Sequence, residues 1–251
     1  MAAQVMDLPG TPSDQVPEIL ATGRSDVGAL FISMAEKHPE GADAEYLRWH
    51  SLDHRTEQMR LQSIRSTLRV VSTPACRDAR AAQSEQLRDT DHVMIYFFRS
   101  VDGLDEFNAL SDGLRDAGRS PFILNPLERG VYNVSERAAA PRAKAGCDVL
   151  PWLPVQGVYL LIEQGEAVAN DDLLAVDGVA GTWSATAQSH PFATASEGQR
   201  ITLCFLDDDP LRVAEKITPV LQRRWQTSAA IPQLAAPFYT VIPWQWDRYL
   251  P

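Results

Sequence analysis

The chain has 251 residues, 45% hydrophobic and 22% charged, the balance of a globular protein able to bury a full core in one or two domains. Its formal net charge of -10 and pI near 4.9 give an average surface that repels phosphate backbones and anionic membranes, so neither nucleic acid nor membrane is an expected partner. Cys76, Cys147 and Cys204 lack C-x-x-C spacing and cannot all pair within one chain, and no apolar run nears the roughly 20 residues of a membrane span, so a reducing cytoplasmic location is expected.

Residues 1–24 are rich in Pro, Gly, Ser and Asp without periodicity and read as a flexible arm. From Asp26, VGALFISM reads as a buried strand, stopped by His38-Pro39-Glu40-Gly41. Asp43 is placed to cap a helix over 43–58. At helical spacing Tyr46, His50, Asp53, His54 and Glu57 share one face, while Trp49, Leu52 and Met59 form a stripe expected to bury against a sheet. SIRSTLRVVST follows as a strand, 74–89 as an exposed insertion with some helix, and HVMIYFF (92–98) as the clearest strand of this half. A helix bearing Leu104, Phe107, Leu110 and Leu114 stops at Gly118, and a short strand at 131–134 closes a β-α-β-β-α-β unit over 25–137.

Residues 138–155 contain three prolines in AAAPRAKAGCDVLPWLP and read as a linker. A second unit over 156–243 has strands at VYLLIE, GVAGTWSATA, RITLCFL and FYTVIPW, and a helix PLRVAEKITPVLQRRW capped by Asp209 and kinked or split at Pro219. Its first helix is reduced to one or two turns in EAVANDDLLAVDGV, and residues 244–251 form an aromatic tail. Two units of this size predict an α+β fold built by duplication rather than a solenoid.

Trp49-His50-Ser51-Leu52-Asp53-His54, followed by Arg55, Met59-Arg60-Leu61 and the strand Ser63 to Val71, resembles the segment at the end of the first helix in the dimeric α+β barrel superfamily, most of all its EthD-like and uncharacterised actinobacterial branches. His50 stands where an aromatic is common, and Gln62-Ser63 replaces a frequent Pro-Gly. The resemblance implies two ferredoxin-like repeats pairing their sheets into a barrel whose interior is a pocket. That pocket serves muconolactone-type isomerases, polyketide cyclases, cofactor-free monooxygenases, heme-degrading enzymes and aldoxime dehydratases, so fold does not select a reaction. The resemblance also carries the family's pocket-facing histidine over to His54.

On chemistry, His54 is the candidate general acid or base, with Asp53 or Glu57 to raise its basicity, and Tyr46 or His50 to stabilise an oxyanion. Trp49, Phe31, Tyr96, Phe98 and Arg69 are candidate substrate contacts, with Phe31, Ser33, Tyr96 and Phe98 alternating toward the cavity. Arg65 and Arg69 read as a solvated face that could also hold a carboxylate. His50 and His54 could share a metal ion with His92, Glu57 or Asp53, and a proximal histidine could hold heme, but the H-S-L-D-H spelling lacks the glutamate of H-E-x-x-H, and neither metal nor cofactor is expected. The five remaining tryptophans, Trp152, Trp183, Trp225, Trp244 and Trp246, read as core or inter-repeat packing. The expected protein is a cofactor-independent isomerase, lyase or cyclase acting on a small aromatic, lactone or polyketide-like substrate in an apolar barrel pocket, as a monomer or homodimer. A ligand-binding accessory protein and a metal- or heme-dependent oxygenase are the alternatives.

Overall fold

The computed structural model describes residues 8–122 and 124–251. Helix α1 (Pro17–Thr22) is followed by strand β1 (Ala29–Ala35), helix α2 (Asp43–Trp49), a π-helical turn (His50–His54) and helix α3 (Arg55–Gln58). Then come β2 (Ile64–Val71), α4 (Pro74–Asp78), β3 (Ala82–Gln83), β4 (His92–Phe98), α5 (Leu104–Asp116) and β5 (Pro126–Ala139). The second half contributes β6 (Gly157–Gln164), α6 (Asp171–Leu174), β7 (Val179–Ala187), β8 (Arg200–Leu206), α7 (Pro210–Thr227) and β9 (Ile231–Thr240).

The sheet order is β2-β4-β1-β5-β7-β8-β6-β9, with two-residue β3 beside β9 and a return pairing of β2 to β9. Every pairing is antiparallel. Within each half the four long strands run in the order second, third, first, fourth, which is the ferredoxin-like arrangement, and joining the halves closes a barrel of eight strands. The two joins differ. Strand β5 pairs with β7 from Tyr132↔Ala187 to Ala139↔Gly181, whereas β2 meets β9 only at Val70↔Thr240 and Val71↔Tyr239.

Alternation along the strands sorts two apolar sets. Leu30, Ile32 and Met34 of β1 and Val93, Ile95 and Phe97 of β4 point into the barrel, where they meet Leu160, Trp183, Phe205 and Phe238 from the other half. An eight-stranded barrel is just wide enough to be filled by side chains, and this one is filled. Among the described residues, side chains fill the space where a pocket inside the barrel is expected. The opposite set, including Phe31, Ser33, Tyr96 and Phe98, faces outward beneath the helices.

In the second half that outer face is closed, because α7 lays Val213, Ala214, Ile217 and Leu221 on Tyr159, Leu161 and Cys204. Asp209 caps α7 by accepting from the amides of Leu211 and Arg212. Pro219 does not split the helix into two elements; it lies on the exposed side.

Other segments differ from their expected form. Residues 8–24 hold a 3₁₀ turn and α1 and dock on the chain beyond β5, Ser13 N–H donating to the Lys144 carbonyl and Asp14 accepting from the Cys147 amide. Residues 1–7 of the expected arm lie outside the described set. Leu150, in the expected linker, is buried in the barrel core. Trp183 is core, but Trp152 and Trp244 are exposed.

Candidate functional site

In the first half α5 buries Leu104, Phe107 and Leu114 against the sheet, while the helix through His50 stands beside it, and the space between them is a cavity of about 420 Å³. The π-helical turn shapes its wall. Arg55 N–H bonds back to the His50 carbonyl, five residues away, and such wide turns recur at functional sites. Tyr46, His50, His54 and Gln58, each four residues apart, come to the cavity side. Leu52 and Met59, expected to be buried, are 43% and 44% exposed. Asp53 and Glu57 are turned outward, both pairing with Arg119, with Glu57 also held by Arg60. Asp53 makes no hydrogen bond to an imidazole among the described residues, which corrects the orienting role expected of it, although its charge still raises the basicity of His54.

Of the expected site residues, His54, His50, Tyr46, Trp49, Phe31, Tyr96 and Arg69 line the cavity. Phe98 lies on the same sheet face but packs on Phe107 behind the wall. Arg69, expected on a wet face, is 3% exposed. Arg65 sits at the bulge that shifts register between Ile64 and Ser66, and its guanidinium pairs with Asp26 at the surface. The Arg69 Nη2 group donates to the Tyr46 hydroxyl, its guanidinium lies 5.0 Å from the Tyr46 ring centroid, and its Nε has no partner among the described residues.

A second chain of contacts involves a residue not anticipated. Tyr96 donates its hydroxyl to Gln58 Oε1 at 2.5 Å, and the Gln58 amide nitrogen lies 2.9 Å from His54 Nε2. In that arrangement the amide donates, so His54 accepts at Nε2 and carries its proton on Nδ1, which is buried without a partner. Burial pushes the Tyr96 phenol pKa up, keeping it a donor. Gln58 could have been found as the next residue in the i+4 series from His50 and His54.

Burial, followed by the Arg69 charge, holds His50 well below the usual imidazole range. Burial also lowers His54, against the pull of the Asp53 carboxylate. Both rings are neutral at pH 7. Behind them His92 Nε2 contacts Asp43 Oδ1 at 2.8 Å. Asp43 does not cap its helix; that carboxylate accepts from His92 and from the His38 amide instead. Burial brings His92 down to about 4, whereas Asp43, despite its own burial, is held below the usual carboxyl range by these hydrogen bonds.

For metal chemistry, His50 and His54 have ring centroids 5.5 Å apart, but no group of three His, Cys, Asp or Glu side chains that could hold an ion comes together among the described residues. A second cavity of about 460 Å³, at the barrel end near Thr67, Pro151, Val241 and Tyr249, has no imidazole or carboxylate in its wall.

No family model and no curated protein matches the sequence. Among solved structures the chain is similar to a candidate chlorite dismutase, at 14% identity and a TM-score of 0.50 over 86% of this chain and 96% of that one. It is also similar to a candidate monooxygenase from Fusobacterium nucleatum subsp. nucleatum, at 7% identity and TM-score 0.49 over 86% and 93% of the two chains. For an anthrone oxidase-like protein the values are 10%, 0.47, 87% and 92%. At such identities the likeness speaks to fold alone. The chain has the α+β barrel fold made from two ferredoxin-like sheets, as the resemblance implied. No helix is long and apolar enough to cross a membrane among the described residues.

Proposed function

We propose that the chain is a cofactor-independent enzyme that moves a proton on a small enolisable aromatic substrate, in an isomerase-, lyase- or cyclase-type step, within the cavity between its first-half sheet and helices. The observation that carries this reading is the convergence of two neutral imidazoles and a buried guanidinium–phenol pair on one aromatic-walled space. His54 takes the proton from the substrate carbon, leaving an enolate whose oxygen is met by Arg69 and Tyr46. Because the Tyr46 oxygen already accepts from Arg69, its own proton is available to the enolate. The base is His54 Nε2, the ring's acceptor, which the substrate reaches by displacing the Gln58 amide nitrogen from it. Returning the proton to a different carbon completes an isomerisation.

Hydrogen–deuterium exchange at the benzylic carbon of 2-tetralone in D₂O tests this. The protein should accelerate exchange, and His54→Gln should remove most of the acceleration with the fold intact by circular dichroism. Absence of acceleration, or acceleration unchanged in the variant, refutes the assignment.

A further inference from the structure

Resting on the same cavity, we infer that it binds its substrate as an aromatic monocarboxylate, with the carboxylate seated against Arg69. Arg69 is 3% exposed and has no carboxylate partner among the described residues. A buried cation without a counter-charge is a costly arrangement, and this protein avoids it elsewhere. Arg224, equally buried at 4%, pairs with Asp172 and also meets Asn170 and the Ala169 carbonyl. Arg69 has only the Tyr46 hydroxyl, and its Nε–H points to no acceptor.

The neighbouring groups do not supply the missing charge. His50 and His54 are neutral, Asp43 is committed to His92 and His38, and Asp53 pairs with Arg119 outside the cavity. The one carboxylate in the wall, Asp112, is taken by Arg115 and Asn108. A guanidinium offers paired N–H donors in the geometry of a carboxylate, which is the ligand that would balance it most directly. The remaining wall selects the body of that ligand. Phe31, Trp49, Tyr96, Phe107 and Phe122 present rings, with Phe31 and Tyr96 stacked at 6.1 Å, so a flat aryl group fits the chemistry of the space.

Calorimetry with the full chain, titrating 2-naphthoate and its neutral isostere 2-naphthamide, tests the inference. The acid should bind at least about tenfold tighter than the amide, and Arg69→Met should erase that preference. His54→Gln should keep it, so a failure of the proton-transfer reading leaves the anion site standing, and the reverse. Equal affinity for acid and amide, binding of neither, or an undiminished preference in Arg69→Met overturns the inference. Should Arg69→Met not fold, the comparison of the two ligands on the parent protein decides the matter alone.

Discussion

His92 on β4 and Asp43 at the start of α2 form a buried contact, Nε2 to Oδ1 at 2.8 Å, that ties that strand to the helix carrying the site. Burial keeps the His92 ring neutral against the pull of the carboxylate, and its N–H donates to Asp43, which this bond and the His38 amide hold ionised.

The burial of His92 makes stability pH-dependent in a definite direction. The folded His92 pKa, about 4, lies below its ordinary 6.5, so the unfolded chain binds more protons between those values and stability falls as pH drops through that window. The loss from His92 is about 3 kcal/mol. Asp43 acts lower, its contribution being present above the ordinary carboxyl pKa and lost only as pH falls through its depressed folded value. Urea unfolding from pH 7 to 4 should show the decline, and His92→Gln, which does not titrate, should reduce its slope while leaving the share due to His50.

Proton exchange should fall in the same region for a different reason. The His54 pKa lies below 6.5, chiefly through burial, so the accepting form dominates at pH 7 and is lost on acidification below that value. A rate profile whose acid limb lies above pH 7 would contradict His54 as the base.

Removing the Arg69 charge should help the ligand-free protein. Arg69→Met gives up one hydrogen bond but relieves an unbalanced buried cation, and a gain of about 1–2 kcal/mol in unfolding free energy is expected. A loss of that size in urea titration would mean that Tyr46 already compensates the charge.

Gln58→Leu leaves the Tyr96 hydroxyl without an acceptor inside the protein, at a cost of about 2 kcal/mol. Adding Tyr96→Phe should recover about half of it, since the second change removes the orphaned group. Additive losses in the double-mutant cycle would show that the two side chains are not coupled.

The outer faces of the two halves should respond oppositely to added volume. Ser33→Leu places its methyl groups in the cavity and should block 2-naphthoate with a stability change under about 1 kcal/mol, whereas Cys204→Leu, beneath α7, should cost about 1–3 kcal/mol. Thermal denaturation of both variants distinguishes an empty wall from a packed one.

The strands with unbroken branched and aromatic runs, such as β4, are legible in the sequence, as is the short first helix of the second half. Strand β5 reads short because Gly130 and a charged outer face interrupt its alternation, and β9 because Pro232 and Pro237 mask its start. Which sheet face is interior is not legible, because both faces are apolar: Ile32 and Ile95 resemble Phe31 and Tyr96 in hydrophobicity while pointing the opposite way. The histidine row is legible at His50 and His54, but a uniform 3.6 period cannot anticipate a π-helical turn, and so it puts Asp53 and Leu52 in the wrong surroundings. The wet face expected at Arg69 fails, while its place among the substrate contacts does not, because a strand arginine gives no local sign of being roofed by a helix from elsewhere in the chain.

The unequal joins of the barrel have a mechanical consequence. The β5–β7 join is a long zipper, but the β2–β9 join is a latch of two residue pairs, extended by Val241 N–H donating to the Arg69 carbonyl at 3.1 Å. With fewer bonds to break, the latch is expected to part before the zipper, and its last tooth is the backbone of the residue whose side chain lies in the cavity wall. A ligand gripping Arg69 from outside would thus also hold the barrel shut, and the Val241 amide, among the first to exchange with solvent in the free protein, should slow when the cavity is filled.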